Sequence, residues 1–194
     1  PETIKWIESF SKEDVFLDVG ANIGIFTLFA ISRGHYVVAV EPEAQNFCLL
    51  NRNIHLNNFD KMVTTLCLAL NDTKMIADLN LSSLEYGAAL HSFGRSITHH
   101  EKEFIPTNKQ TVLGLRIDEM IDILGIKINH IKIDVDGNET LVLKGAKDLL
   151  GSSSLKSILI ELDKTHSEYD EAIEIIKSYG YEETYDKYND ARPK

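Results

Sequence analysis

Cysteine is scarce: the chain carries only Cys48 and Cys67, and neither belongs to a Cys-x-x-Cys pair. That excludes a disulfide framework, and both read as reduced thiols within the core, in keeping with a reducing, cytoplasmic setting. Proline is scarce too, and no Pro/Gly-rich tract, repeat or low-complexity stretch marks a boundary, so residues 1–194 read as one domain. No apolar run approaches the roughly 20 residues of a membrane span. Residues 1–12 open on a short amphipathic helix, with Ile4, Ile7, Trp6 and Phe10 on its inner side, rather than on a secretory leader. Positive charge falls short of negative: 20 Lys and Arg against 30 Asp and Glu give a net charge of −10. Such a surface repels phosphate backbones, so nucleic acid is not the expected partner.

What the sequence does have is a rhythm of short apolar runs alternating with helical periodicity. Strands are expected at 15–19, 36–40, 63–70, 110–115, 130–135 and 157–162, with another starting at Tyr181. Helices are expected at 22–33 (ended by Gly34), 43–56, 118–124 (ended by Gly125), 138–150 and 168–179. Residues 75–81 alternate like an exposed or edge strand, and 82–107 is a long polar stretch of the kind that serves as a lid or substrate wall. Strands alternating with helices predict an α/β fold with a mostly parallel, twisted sheet and helices on both faces. Ligands then sit beyond the carboxyl ends of the strands, where Asp18, Glu41, Asn71, Asp134 and Asp136 fall.

Gly20-Ala21-Asn22-Ile23-Gly24 joins the first strand to the first covering helix. A dinucleotide fingerprint, GxGxxG, would have Gly where Asn22 stands. The turn instead suits the methionine half of S-adenosylmethionine, with backbone N–H groups for the carboxylate and Asp18 near the ammonium group. A turn that needs glycine only for packing is the alternative. Glu41, followed by Pro42, closes the second strand about 20 residues later, where an acid can accept both ribose hydroxyls. The alternative is an acid favoured by the next helix dipole. The run Lys132-Ile-Asp134-Val-Asp136-Gly-Asn-Glu139 puts several charges at a strand end, costly to bury unless paired or used. Asp134 and Asp136 would share one face if the strand persists, and a carboxylate there could take a hydroxyl proton. The alternatives are capping by Asp136 and Glu139, a structural pair with Lys132, or cation binding by Asp134, Asp136 and Glu161, which no spacing rule supports. Among the histidines of the long stretch (His91, His99, His100), His91 is the preferred substrate-facing base, with His166 a second choice.

Together, Val15-Phe-Leu-Asp-Val-Gly-Ala-Asn-Ile-Gly-Ile-Phe-Thr, Glu41-Pro42, Leu115-Arg-Ile-Asp118, Ile131-Lys-Ile-Asp-Val-Asp-Gly-Asn-Glu139 with Leu143-Lys-Gly145-Ala146, and Ile158-Leu-Ile-Glu161 resemble the FkbM-type methyltransferases. The resemblance implies a Rossmann-like class I methyltransferase fold, S-adenosylmethionine as cofactor, and O-methylation of a hydroxyl on a small molecule or saccharide. It implies that Asp18, Gly20 and Asn22 line the methionine end of the donor and Glu41 the ribose. Ala21, Gly24, Pro42 and Asn71 complete the expected donor site, and Asp134, Asp136 and His91 are the expected catalytic groups, with no metal. Two positions depart from the family pattern: Asp136 stands where Glu is usual, and Asn138 where Ala is common. A non-catalytic domain of the same fold that binds the donor, or serves as an interaction module, is the alternative. An NAD-dependent oxidoreductase is disfavoured by Asn22.

Overall fold

The computed structural model describes residues 2–89, 91–94 and 106–184. Its centre is a parallel five-stranded sheet of β1 (Val15–Val19), β2 (Tyr36–Val40), β3 (Val63–Leu66), β8 (His130–Ile133) and β9 (Ser157–Ile160). The spatial order is β3-β2-β1-β8-β9, with every neighbouring pair parallel. These strands read as continuous apolar runs because both faces are covered. Alternation then sorts their residues into two cores. Leu17, Val19, Val38, Val40, Ile131 and Ile133 pack with Met120, Val142 and Leu143 on one face. Phe16, Val37 and Ala39 pack with Ile7, Ala30, Ile31, Leu50 and Ile54 on the other. The first face is covered by α4 (Ile117–Leu124), α5 (Glu139–Lys144), α6 (Lys147–Leu150) and α7 (Tyr169–Ser178). The second is covered by α1 (Glu2–Glu8), α2 (Ile25–Ser32) and α3 (Ala44–Leu56). Among the described residues no helix is long and apolar enough to cross a membrane.

A second sheet orders β4 (Ala69–Leu70), β7 (Asn108–Leu115), β5 (Met75–Leu81) and β6 (Ser92–Phe93). The expected strand 63–70 is therefore split between two sheets. Leu66 O accepts the Glu41 N–H at 3.1 Å, and the next N–H on that side of the partner strand, that of Glu43, goes to Glu41 Oε1 at 2.9 Å instead of continuing the ladder. The chain leaves at Cys67 and Leu68 and joins β7 instead. Cys48 and Cys67 are both exposed, not core thiols.

Other elements are shorter than expected. The helix expected from 22 begins at Ile25, because Asn22 and Gly24 adopt positive φ (52° and 93°). The strand expected to reach 135 ends at Ile133, so Asp134 and Asp136 do not share a strand face. The helix expected over 138–150 breaks at Gly145 and Ala146. A Cβ at Gly145 would lie 2.1 Å from Asn71 O, so the break is a point of backbone contact between two segments. Asp118 supplies the new start, accepting Asp148 N–H and Leu149 N–H at 3.1 Å each. Residues 181–184 are not a strand, and the remainder of the expected final strand lies outside the described residues.

Candidate active site

The order of the main sheet reverses direction between β1 and β8, and ligands of such sheets bind beyond that point. A cavity of about 270 Å³ lies there. One wall is built from Gly20, Asn22, Glu41, Pro42, Asp134, Asp136 and Asn138; the other brings Leu79, Ala88, Ala89, His91 and Phe93 from β5, β6 and the segment between them. A shallower groove beside Glu8, Phe10, Lys12, Arg33 and His35 is edged by the exposed Arg33–Glu8 ion pair, away from the strand ends that carry the acids.

The glycine turn is held from within. Gly20 N–H and Ala21 N–H both donate to Val40 O at 3.0 Å, Ile23 N–H to Asn22 Oδ1 at 2.8 Å, and Gly24 N–H to Ala21 O at 2.9 Å. Asn22 N–H donates to Glu41 Oε2 at 2.8 Å. The amides of residues 20–24 are thus spent inside the protein rather than left open as a cradle. Gly20 has a second constraint: with φ at 79°, a Cβ there would lie 1.9 Å from Asp134 O. Only glycine lets the first strand's turn and the segment after β8 approach this closely.

Glu41 forms the cavity floor at the end of β2. Oε2 accepts Asn22 N–H and Oε1 accepts Glu43 N–H at 2.9 Å, which fixes the carboxylate plane. Burial, with Glu43 and Asp18 nearby, outweighs those two hydrogen bonds and pushes its pKa up to about 7. Each oxygen keeps a second lone pair, so the group can still accept two hydroxyls. This acceptor fits a ribose diol: a pinned, buried carboxylate with more negative character around it than hydrogen bonds to neutralise it.

Asp18 lies beneath the cavity rather than on its wall. It is fully buried, takes a hydrogen bond from Thr27 Oγ at 2.7 Å, and lies 4.0 Å from Lys132 Nζ. Burial raises its pKa, partly opposed by Lys132. Lys132 is itself buried, with Nζ 2.7 Å from Asp134 Oδ2 and 5.2 Å from the Phe26 ring centroid. The pairing of Lys132 with an acid therefore coexists with exposure of that acid to the cavity. Asp134 Oδ1 has no partner among the described residues, so one oxygen is anchored and the other is available.

Asp136 reaches the cavity from a turn, at φ 50°, not from a strand. Glu139 caps that turn by accepting Gly137 N–H at 3.0 Å, and burial raises its pKa. Pro42 lines the cavity, whereas Ala21, Gly24 and Asn71 do not. Asn71 instead packs its carbonyl on Gly145 and donates its backbone N–H to Leu115 O at 2.8 Å. His91 is on the cavity wall; His166 is not, and its Nδ1 accepts Glu168 N–H at 3.2 Å. His99 and His100 lie outside the described residues. Among the described residues no group of three or more His, Cys, Asp or Glu side chains is arranged to hold a metal ion.

Asn46, Leu79, Ala88 and Phe93 complete the site without any sequence signal that ties them to it. Asn46 Nδ2 donates to Ala88 O at 3.0 Å and its Oδ1 accepts Gly87 N–H at 2.8 Å. Asn22 Nδ2 donates to the same Ala88 O at 3.2 Å. Two asparagines thus fasten one strap across the cavity. Asn46 is buried, and these bonds give its polar side chain the partners it needs there.

Residues 18–183 match the family model described as the methyltransferase FkbM domain. Solved structures agree on the fold. The precorrin-6y C5,15-methyltransferase from Geobacter metallireducens GS-15 is 13% identical, with a TM-score of 0.53 over 93% of this chain and 70% of that one. A SAM-dependent methyltransferase from Agrobacterium tumefaciens is 10% identical, with a TM-score of 0.54 over 92% of this chain and 47% of that one. TYW2 of P. horikoshii, solved in complex with MeSAdo, aligns at 25% identity over 35% of this chain with a TM-score of 0.33. The alignment spans 26% of the length of that relative. No match was found among curated proteins.

Proposed function

The chain belongs to the FkbM methyltransferase family, and from that premise we propose that it transfers a methyl group from S-adenosylmethionine to a hydroxyl oxygen of a small molecule or saccharide. One observation carries this: the pinned carboxylate of Glu41 and the half-anchored carboxylate of Asp134 open into the same cavity, on either side of the Gly20 turn. Bound S-adenosylmethionine supplies an electrophilic methyl group on a positively charged sulfur. Glu41 accepts the ribose hydroxyls. Asn22 and Pro42 border the donor, while Asp18 supports the turn from below. Asp134 Oδ1 orients the acceptor hydroxyl and takes its proton, with Oδ2 held by Lys132. Asp136 borders the acceptor. Most of the rate advantage comes from holding the acceptor oxygen in line with the methyl group.

The acidic surface favours an acceptor without a phosphate backbone. The two exposed free thiols suit a cytoplasmic setting.

The test is methyl transfer from labelled S-adenosylmethionine to a panel of hydroxylated small molecules and sugars. Asp134→Asn is expected to lower turnover about a hundredfold or more. Its affinity for S-adenosylhomocysteine should stay within about threefold of wild type. Equal loss of turnover and affinity would make Asp134 a donor-holding residue instead. Donor binding without transfer to any acceptor would favour a non-catalytic binding domain.

A further inference from the structure

His91 lines the cavity, and the proton of its ring can be placed. The Ser82 backbone N–H donates to His91 Nδ1 at 3.2 Å. The Ser82 hydroxyl spends its own proton on Ala89 O at 2.7 Å, so it has none to offer the ring 3.4 Å away. A ring nitrogen that accepts an N–H carries no hydrogen, which puts the hydrogen of the neutral imidazole on Nε2. Burial lowers the pKa of the ring, only partly opposed by Glu43, and so favours that neutral form. Nε2 is itself buried and has no partner among the described residues, while the ring lines the cavity. A buried N–H without an acceptor is costly, and a ligand in the cavity that the ring lines can supply one.

We propose that His91 is a hydrogen-bond donor to the adenosyl group of the bound methyl donor, recognising a neutral lone pair on adenine or ribose, and is not a base. Its lone pair is already used at Nδ1, and its other nitrogen has a proton to give rather than room to take one. Two observations put it at the adenosyl end. The strap that precedes it is tied down at Ala88 by Asn22 and Asn46, beside the Glu41 floor. Glu43, two residues beyond Glu41, is the charge that partly opposes the lowering of the ring's pKa. Phe93 and Leu79 share its wall and give apolar cover suited to a flat heterocycle. The proposal rests on the cavity being the S-adenosylmethionine site.

Nitrogen-15 NMR of the histidine rings in the full chain, near neutral pH, should show His91 as the Nε2–H tautomer. A proton on Nδ1, or on both nitrogens, overturns the proposal. Titration calorimetry with S-adenosylhomocysteine then tests the partner. His91→Phe should bind about tenfold more weakly than wild type. His91→Gln, whose amide NH₂ falls near the Nε2 position, should recover most of the loss. Should His91→Phe not fold, the wild-type Nε2–H resonance must move when S-adenosylhomocysteine is added, and an unmoved resonance overturns the proposal. Equal affinity of His91→Phe and wild type overturns it alone and leaves the methyl acceptor as partner of Nε2. No binding by wild type overturns the donor-site reading together with this proposal.

Discussion

Glu41 is under two opposing demands. It is buried as the cavity floor, and the proposed role in accepting hydroxyls needs it ionised. With its pKa raised to about 7, the free protein carries a mixture of both forms near neutrality. If Glu41 accepts the ribose hydroxyls as proposed, they select the ionised form, and affinity for S-adenosylhomocysteine should fall by about tenfold between pH 8 and pH 6. Calorimetry across that range checks it, and Glu41→Gln should bind weakly with little pH dependence. The effect on folding runs the other way. A raised acid holds its proton more tightly in the folded state, so ionised Glu41 costs stability above about pH 7, and that cost is relieved as pH falls towards the unfolded value of 4.5. Glu41 is legible in the sequence as a strand-end acid, which puts it at the cavity end of the sheet but does not by itself put it on the cavity surface. Asp18 is a strand-end acid too, and nothing in the sequence separates one that faces a cavity from one that sits under it. The difference arises from Lys132 and Thr27, which only the fold brings to Asp18.

At the scale of elements, the strap over the cavity depends on few contacts. Asn46 contributes two hydrogen bonds, to Gly87 and Ala88, and Asn22 Nδ2 contributes two more, to Ala88 O at 3.2 Å and Gly87 O at 3.5 Å. Asn46→Ala should therefore raise amide hydrogen exchange across 83–89 by about tenfold while leaving β1 and β8 unchanged. Exchange that rises equally in β1 would show global destabilisation instead. Long, periodic elements could be placed from sequence: β1, β2, α3 and α4 lie within a residue or so of their expected bounds. Breaks imposed by distant residues could not. The split of α5 from α6 needs Asp118 and Asn71, which arrive from other segments. The passage of β3 into β4 depends on where the neighbouring strand runs out of N–H donors. Ser92–Phe93 is too short a strand to stand out from a polar stretch, yet it brings Phe93 to the cavity wall.

Taken whole, the molecule is closed at the end opposite the cavity by α1. Trp6 Nε1 donates to Ser157 Oγ at 2.8 Å, and Phe10 stacks on His130 with centroids 3.7 Å apart. His130 bridges Ser157 and Asp14, and Lys156 also reaches Asp14. Burial works against the Asp14 carboxylate, but hydrogen bonds from Lys156 and His130 prevail and hold its pKa at about 2. Its contribution to stability is present above the unfolded value of 3.8 and is lost as pH falls through about 2. Acid titration followed by circular dichroism should show wild type losing stability across that window, and Asp14→Asn, already weaker at neutral pH, losing less of it. This end of the fold, remote from the acids at the carboxyl ends of the strands, leaves the cavity proposed as the donor site to carry the chemistry. The most direct test of that claim is calorimetric titration of the wild-type chain with S-adenosylhomocysteine, run beside Glu41→Ala. Saturable one-to-one binding by wild type, weakened about tenfold or more in Glu41→Ala, is the expected result. Absence of binding by wild type, or equal binding by both, would contradict it.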